Sequence, residues 1–158
     1  MKFKNVLIAS DYDGTLYNSE GIITAEVRDK IAYFIANGGR FTVSTGRSYQ
    51  GFHAYDNSYI NAPVLLANGA LAYDYEKGGI SFFNHVGDEI FDALRNLHKT
   101  FPDASIEMYS MFNSFVINNC DTSSRHFTSQ NIFFSEVDDP SEAEAPWQKV
   151  MIFSENQS

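Results

Sequence analysis

The residues best suited to chemistry stand together near the N-terminus, in the segment D-Y-D-G-T-L at residues 11–16. An apolar run at residues 6–9 precedes this segment and predicts a short β-strand. In open α/β sheets, ligands bind just beyond the carboxyl ends of the strands. Asp11 and Asp13 are two residues apart, so on extended chain their side chains point the same way. Such a pair can supply a nucleophile and a general acid, and its oxygen atoms can bind a divalent cation.

A simple turn and a calcium-binding loop are the two alternatives for this segment, and both fit it less well. An Asp-Gly turn is a common ending for a strand, and it would account for Asp13 and Gly14. It would not account for a second aspartate, Asp11, directly upstream. An EF-hand loop requires Glu at its twelfth position, whereas the twelfth residue counted from Asp11 is Ile22. The catalytic interpretation therefore fits the segment better than a turn or an EF-hand.

The composition is that of a globular protein with an acidic charge balance. Apolar residues make up 44% of the 158 residues, and the formal net charge is −9. This charge argues against a broad surface for nucleic acid or for an anionic membrane. Cys120 is the single cysteine, which excludes an intrachain disulfide and favours a reducing compartment. Because the N-terminal apolar run is too short for a signal peptide, we expect a cytoplasmic protein without membrane association.

The hydrophobic pattern predicts alternating strands and helices in the first half of the chain. Thr24 is suited to cap a helix, and Gly38 and Gly39 are suited to end it. The other elements predicted up to residue 85 are a buried parallel strand at 5–10, strands at 40–44 and 63–66, a weak helix at 48–59, and a hairpin of residues 70–74 and 80–85.

The pattern of predicted elements changes in the second half of the chain. Asp88 is suited to cap an amphipathic helix, and the spacing places Phe101 on its inward face. Strands are predicted at 105–109, 114–118 and 149–153, whereas residues 121–146 are polar and show little periodicity.

Three consecutive strands of the first half are each followed by polar or glycine residues. Asp11 and Asp13 follow the first strand, T-G-R at 45–47 follows the second, and N-G at 68–69 follows the third. Parallel strands place these ends on one edge of the sheet, so the three loops can form one pocket.

These motifs resemble those of the haloacid dehalogenase (HAD) superfamily, and more narrowly those of the Cof-like sugar-phosphate phosphatases. The resemblance is carried by D-x-D-G-T-L at 11–16, T-G-R at 45–47 and N-G-A at 68–70. It implies an α/β fold in which residues 1–80 form the N-terminal half of a doubly wound, Rossmann-like HAD core. It further implies that residues 81–158 belong to an incomplete α+β cap domain.

The resemblance also implies a reaction and a cofactor. The protein would be a Mg²⁺-dependent phosphomonoester hydrolase, a HAD-type phosphatase that works through an aspartyl-phosphate intermediate. Its substrate would be a small phosphorylated metabolite, either a sugar phosphate or a nucleotide. Asp11 would be the nucleophile and a Mg²⁺ ligand. Asp13 would be the general acid and base, and its main-chain carbonyl would be a second metal ligand.

The same resemblance assigns residues of all three loops to the phosphate. The hydroxyl of Thr45 would bind the phosphoryl oxygens, and Gly14 would let the backbone turn beneath them. Arg47 is either a substrate-facing group or an ion-pair partner, and Asn68 is either a leaving-group contact or part of a turn. The complete predicted phosphate-binding set is Tyr12, Gly14, Thr45, Gly46, Arg47 and Asn68.

The chain departs from the family pattern at two points. Tyr12 stands where an aliphatic residue is more usual, and the family's later Lys and acidic motif would lie beyond Ser158. On this ground we expect an incomplete phosphatase with strongly reduced activity. We also expect an unpaired edge on the strand that bears Asp11, which favours homodimers or aggregation. Two alternatives stay open at this point: a phosphomutase-like phosphotransferase, and a non-catalytic remnant that binds phosphate or metal.

Overall fold

The computed structural model describes residues 1–154. Residues 155–158, which the predicted second domain includes, lie outside the described residues. The strands are β1 Leu7–Ser10, β2 Arg40–Val43, β3 Val64–Leu66, β4 Leu71–Asp74, β5 Gly79–Phe83, β6 Ser105–Tyr109, β7 Ser114–Ile117, β8 Ser135–Glu136 and β9 Lys149–Phe153. The helices are α1 Ala25–Ala36, α2 Tyr49–His53, α3 Ile90–Thr100 and α4 Asp121–Ser129. No helix of the described residues has the length and apolar character needed to span a membrane.

The chain forms two compact units. The first contains Met1–Gly46 and Tyr55–Phe83, and the second contains Arg47–Ala54 together with the chain from Asn84 onward. The assignment of residues 1–80 to a core domain and of the remainder to a cap stays a prediction.

The first unit is built on parallel strands. β1 pairs with β2 in parallel, from Leu7 opposite Arg40 to Ser10 opposite Val43. Ser44, the residue after β2, forms a parallel bridge with Leu65 of β3. β4 and β5 then continue antiparallel from β3. The β-α-β-α-β order predicted from the sequence is therefore present, and it brings the ends of β1, β2 and β3 to the same edge.

Helix α1 forms where its capping residues predict it. The Oγ1 atom of Thr24 accepts a hydrogen bond from the amide of Val27 at 3.4 Å, which satisfies one of the free donors of the first turn. The helix buries Ile31 and Phe34. Gly38, with φ of 92°, then turns the chain away in a conformation that favours glycine.

Strand β1 is paired as predicted, but it is not buried. Leu7 is 60% exposed and Ile8 is 43% exposed. Among the described residues, no strand pairs with the edge of β1 opposite β2. An apolar run identifies a strand, but burial also requires neighbours on both faces, and the run itself does not supply them.

The second unit has a four-stranded sheet in the order β8-β7-β6-β9. Alternate residues of its strands point to opposite faces and pack into two apolar clusters. The buried residues of the cluster that includes α3 are Leu94, Ile106, Met108, Ile117, Ala143 and Trp147. Those of the cluster that includes α4 are Tyr109, Val116, Phe127 and Ile132.

Four sequence predictions for the second unit are wrong in detail. Asp88 does not cap α3, because Glu89 stands at the N-cap position and no side chain makes a capping hydrogen bond. Helix α2 ends at His53 rather than near residue 59. Phe101, expected on the inward face of α3, is the residue that ends the helix and is 61% exposed. Helix α4 lies in the polar segment for which no element was predicted. Only Phe127 and Ser123 of this helix are buried, so its sequence carries little apolar periodicity.

Candidate active site

The loops that follow β1, β2 and β3 lie side by side. The amide of Ser44 donates to the carbonyl of Ser10 at 2.8 Å, which ties the end of β2 to the end of β1. The amide of Thr45 donates to the carbonyl of Leu65 at 2.9 Å, which ties the same segment to β3. The predicted convergence of the three strand ends is therefore confirmed.

The loop after β1 is anchored by Tyr12. Tyr12 is only 1% exposed, and its ring stacks on that of Tyr17 with the ring centroids 5.0 Å apart. The amide of Tyr17 donates to the carbonyl of Tyr12 at 2.8 Å, and the amide of Gly14 donates to the carbonyl of Tyr17 at 2.9 Å. Gly14 has φ of 73°, which allows this tight reversal. With Tyr12 turned inward, its two neighbours Asp11 and Asp13 are exposed.

Asp11 is held by a residue that the sequence analysis did not assign to the site. The hydroxyl of Thr15 donates to Oδ2 of Asp11 at 3.0 Å. The hydroxyl of Ser10 donates to the main-chain carbonyl of Asp11 at 2.8 Å. The spacing of four residues between Asp11 and Thr15 could have indicated this contact, since a compact loop brings such residues together. Thr15 therefore orients the carboxylate through its Oδ2 atom.

Thr45, Gly46 and Asn68 form the second part of the site. Thr45 is buried, and its carbonyl accepts from the amide of Asn68 at 3.1 Å. A Cβ atom at Gly46 would lie 3.0 Å from Oδ1 of Asn68, so a side chain there would press on the Asn68 amide. Asn68 has φ of 57° and Gly69 has φ of 91°, so the loop after β3 is left-handed at both residues. The loop that carries Asn68 is therefore built against the T-G-R loop.

Arg47 lies in the second compact unit. It is 6% exposed, and its Nη1 atom donates to the carbonyl of Gly51 in α2 at 2.9 Å. The guanidinium thus supports a short helix five residues long that directly follows the T-G-R loop. This placement gives Arg47 a structural contact, and its predicted contact with phosphate remains a prediction.

The oxygen atoms of this site suit a hard cation. Asp11 and Asp13 offer exposed carboxylate oxygens, which are the ligand type that Mg²⁺ prefers. Within residues 1–154, no three His, Cys, Asp or Glu side chains come together as a metal-binding group. A pair of carboxylates with main-chain oxygens and water fits Mg²⁺, which keeps several of its waters, better than it fits a closed structural metal centre.

Comparison with known proteins connects this geometry to a family. A family model described as haloacid dehalogenase-like hydrolase matches residues 8–158. The protein YxeH of Bacillus subtilis (strain 168) is 30% identical over 142 residues, which are 83% of this chain and 47% of YxeH. The 5-amino-6-(5-phospho-D-ribitylamino)uracil phosphatase YwtE of the same strain is 37% identical over 67 residues, which are 42% of this chain and 23% of YwtE.

A solved structure shares the fold. The crystal structure of a haloacid dehalogenase-like hydrolase from Bacteroides thetaiotaomicron superposes with a TM-score of 0.80 at 24% identity. The match covers 96% of this chain and 58% of that one. The predicted mixed α/β fold class is therefore confirmed. The chain spans about half or less of the length of the curated relatives it matches, from 23% to 47%.

Proposed function

The chain belongs to the haloacid dehalogenase-like hydrolase family, since the family model matches residues 8–158, and we propose that it is a Mg²⁺-dependent phosphomonoester hydrolase. The observation that carries this proposal is the loop after β1. It exposes Asp11 and Asp13 on either side of the buried Tyr12, and it holds Asp11 through the hydroxyl of Thr15.

In the first step, a carboxylate oxygen of Asp11 attacks the phosphorus atom of the substrate. An O–P bond forms to Asp11, and the bond between phosphorus and the ester oxygen breaks. The carboxyl of Asp13 gives its proton to the departing oxygen, so that the leaving group departs as an alcohol. Thr15 keeps Asp11 in place through the hydrogen bond to Oδ2, which leaves one carboxylate oxygen available for attack.

In the second step, water attacks the phosphorus of the aspartyl-phosphate. The Asp13 carboxylate takes a proton from this water, inorganic phosphate is released, and the Asp11 carboxylate is restored. Negative charge on the phosphoryl oxygens needs donors in both steps. We assign this role to the hydroxyl of Thr45 and to the main-chain amides of the loop after β1. Gly46 and Asn68 shape the adjoining wall, where they approach closely.

Asp11 and the main-chain carbonyl of Asp13 would hold Mg²⁺. The cation, when bound, offsets the repulsion between the Asp11 carboxylate and the phosphate dianion.

We assign the substrate to the small phosphorylated metabolites, with a sugar phosphate or a nucleotide as the leading classes. The net charge of −9 makes nucleic acid and anionic membranes poor partners. The composition, with its single cysteine, favours a cytoplasmic location.

Hydrolysis of para-nitrophenyl phosphate, with and without Mg²⁺, tests this function. We expect Asp11→Asn and Asp13→Asn each to lower turnover by roughly a hundredfold or more, since each removes a group that acts on the reacting atoms. Asp29→Asn, at an exposed position of α1, is the matched control, and it should hydrolyse para-nitrophenyl phosphate at the same rate as the unsubstituted chain. Metal-independent hydrolysis that survives Asp11→Asn would overturn the proposal.

We further propose that the chain self-associates along the edge of β1 opposite β2, with which no strand of residues 1–154 pairs. Leu7 and Ile8 are 60% and 43% exposed there, and an apolar strand edge is a template for pairing with another chain. Light scattering of the parent and of Leu7→Lys tests this, with Ile22→Lys as the control because Ile22 is 48% exposed outside any strand. A parent that stays monomeric at high concentration, or a Leu7→Lys variant that associates as the parent does, would contradict it.

A further inference from the structure

An open cavity in the second unit combines phenylalanine rings with uncharged polar side chains. Its volume is about 360 Å³, which is within the range of small-molecule binding sites. It lies at the beginning of β7 and of β8, and a side chain of α2 also lines it. Within residues 1–154, no charged side chain lines this cavity. Its lining residues include Gln50, Asn113, Ser114, Phe115, Phe133 and Phe134.

The rings of Phe133 and Phe134 differ in how they are held. Phe134 stacks on Phe127 of α4, with the ring centroids 4.3 Å apart and the planes at 21°. Phe133 is instead 81% exposed, so most of its ring surface is available to a ligand. The cavity therefore has one aromatic ring that is packed into the unit and one that is open to solvent.

The backbone that carries Phe133 is fixed although its ring is exposed. The Oε1 atom of Gln50 accepts a hydrogen bond from the amide of Phe133 at 3.2 Å. The Nε2 atom of the same side chain donates to the carbonyl of Phe112. The ring of Tyr49 meets the ring of Phe112 edge-on, with the centroids 5.1 Å apart. Helix α2 thus holds the segments before β7 and before β8 in place.

Ser114 brings a hydroxyl to the cavity that the protein itself does not use. The residue is only 3% exposed, and it lines the cavity at the first position of β7. Within residues 1–154, its hydroxyl makes no hydrogen bond to another protein group. Because buried polar groups are normally hydrogen-bonded, this hydroxyl requires a partner that enters the cavity.

Asn113 supplies a second polar atom at the same place. Its Nδ2 atom donates to the carboxylate of Glu144, which fixes the orientation of the carboxamide. The Oδ1 atom then remains as an acceptor, whereas the Ser114 hydroxyl can both donate and accept. The cavity therefore presents a donor and two acceptors beside its aromatic rings.

These groups favour a flat, uncharged ring that carries its own hydrogen-bonding atoms. A phosphate or a carboxylate would find no cationic partner among the lining residues. A plain hydrocarbon ring would leave the Ser114 hydroxyl without a partner. A heteroaromatic ring satisfies both requirements, since its face stacks on an aromatic side chain and its edge donates and accepts.

We propose that this cavity is a binding site for uncharged heteroaromatic rings of the kind that nucleosides carry. The ring stacks on Phe133, and its edge hydrogen-bonds to Ser114. The site is a property of the second unit, and it does not depend on the proposed function because a nucleoside contains no phosphate.

Titration of the full chain with adenosine and with uridine, followed by nitrogen-15 NMR, tests the site. We expect saturable shifts of the amide resonances of Ser114 and Phe133 and of the side-chain amide of Gln50. Ribose lacks the aromatic ring, and benzyl alcohol has a ring without heteroatoms. Each of these two probes should bind about tenfold more weakly than the better nucleoside.

Two variants locate the ligand. Phe133→Ala should weaken nucleoside binding by about tenfold, because the stacking surface is lost. Phe101→Ala is the matched control, since Phe101 is 61% exposed at the end of α3, and this variant should bind as the unsubstituted chain does. Ser114→Ala should weaken binding by roughly fivefold, because it removes one hydrogen bond to the ring.

Several results would overturn the proposal. These are the absence of saturable shifts with both nucleosides, benzyl alcohol that binds as tightly as they do, and equal affinities of Phe133→Ala and Phe101→Ala. If Ser114→Ala does not fold, Phe133→Ala still decides, because its ring is exposed. Nucleoside binding by a protein that hydrolyses no phosphate ester would contradict the proposed function alone. Hydrolysis by a protein that binds no nucleoside would contradict this site alone.

Discussion

The Thr15 hydroxyl donates to Oδ2 of Asp11 at 3.0 Å, within a loop that turns back on itself at Gly14. The contact satisfies one oxygen of the carboxylate and fixes its rotation. Asp11 therefore faces its surroundings in a defined orientation although it is exposed, which is the condition for in-line attack on phosphorus.

Thr15→Val should lower kcat for para-nitrophenyl phosphate by roughly tenfold with little change in KM. The reason is that a hydrogen bond to a charged group contributes about 1.5–3 kcal/mol, and only the orientation of Asp11 depends on this one. Thr15→Ser keeps the hydroxyl and should restore most of the rate. Equal rates for the two variants would show that the hydrogen bond does not position Asp11.

Gly46→Ala should lower the free energy of unfolding by about 1–3 kcal/mol, as overpacking of close contacts commonly does. The new Cβ would lie 3.0 Å from Oδ1 of Asn68, so the Asn68 side chain would have to shift by a few tenths of an ångström. Gly79→Ala is the matched control, since no atom lies within 4 Å of its Cβ position. Thermal unfolding of both variants gives the comparison, and equal midpoints would contradict the tight approach of Gly46 to Asn68.

Glu107→Ala should destabilise the second unit by about 3 kcal/mol or more. The substitution leaves Ser123, His126 and Tyr109 without their shared acceptor in a buried site, and unsatisfied buried donors are costly. Glu107→Gln should cost less, because one amide oxygen still accepts.

Urea unfolding followed by Trp147 fluorescence reports on the unit that contains Glu107. Glu142→Ala, at an exposed position, should change stability by no more than about 0.5 kcal/mol. If Glu107→Ala matched that control, the cluster around Glu107 would not contribute to stability.

The stability of the first unit should fall in acid partly because of Asp56. Hydrogen bonds to the carboxylate lower the pKa of Asp56 to about 2. The largest contribution comes from the amide of Ser58, and the Ser58 hydroxyl and Arg28 add to it. An unfolded aspartate titrates near ~3.9, so the folded pKa is the lower of the two. The contribution of Asp56 is therefore fully present above pH ~3.9 and is lost as the pH falls through the folded value.

Asp56→Asn should make stability less dependent on pH across this acid range, because the asparagine does not titrate. Thermal midpoints measured between pH 5 and pH 2 test this, with Asp103→Asn, at an exposed position, as the control. An unchanged pH dependence in Asp56→Asn would mean that its hydrogen bonds with Ser58 and Arg28 do not persist in solution.

The sequence predicted the parts of the fold that depend on local pattern. Thr24 and Gly38 begin and end α1 as expected, because capping and left-handed turns are decided by residues a few positions apart. The convergence of Ser10, Ser44 and Leu65 was also predictable, because parallel strands connected by helices bring their carboxyl ends to one edge.

The remaining features depend on contacts that the pattern does not contain. The exposure of Leu7 depends on which strands flank β1, and the apolar run alone does not report this. Helix α4 was missed because polar side chains share its inward face: Ser123 and His126 both contact Glu107. The Asp11–Thr15 contact was missed although the four-residue spacing allows it, because the spacing becomes a contact only when the chain turns at Gly14.

Phosphorylation of Asp11 is the most direct test of the catalytic assignment. The chain and its Asp13→Asn variant are incubated with Mg²⁺ and acetyl phosphate, quenched in acid, and digested for peptide mass spectrometry. We expect one phosphoryl group on the peptide that contains Asp11, with more of it in Asp13→Asn because the second step lacks its general base. The label should be absent from Asp11→Asn. A phosphoryl group on another residue, or hydrolysis by a chain that never carries one on Asp11, would contradict the account.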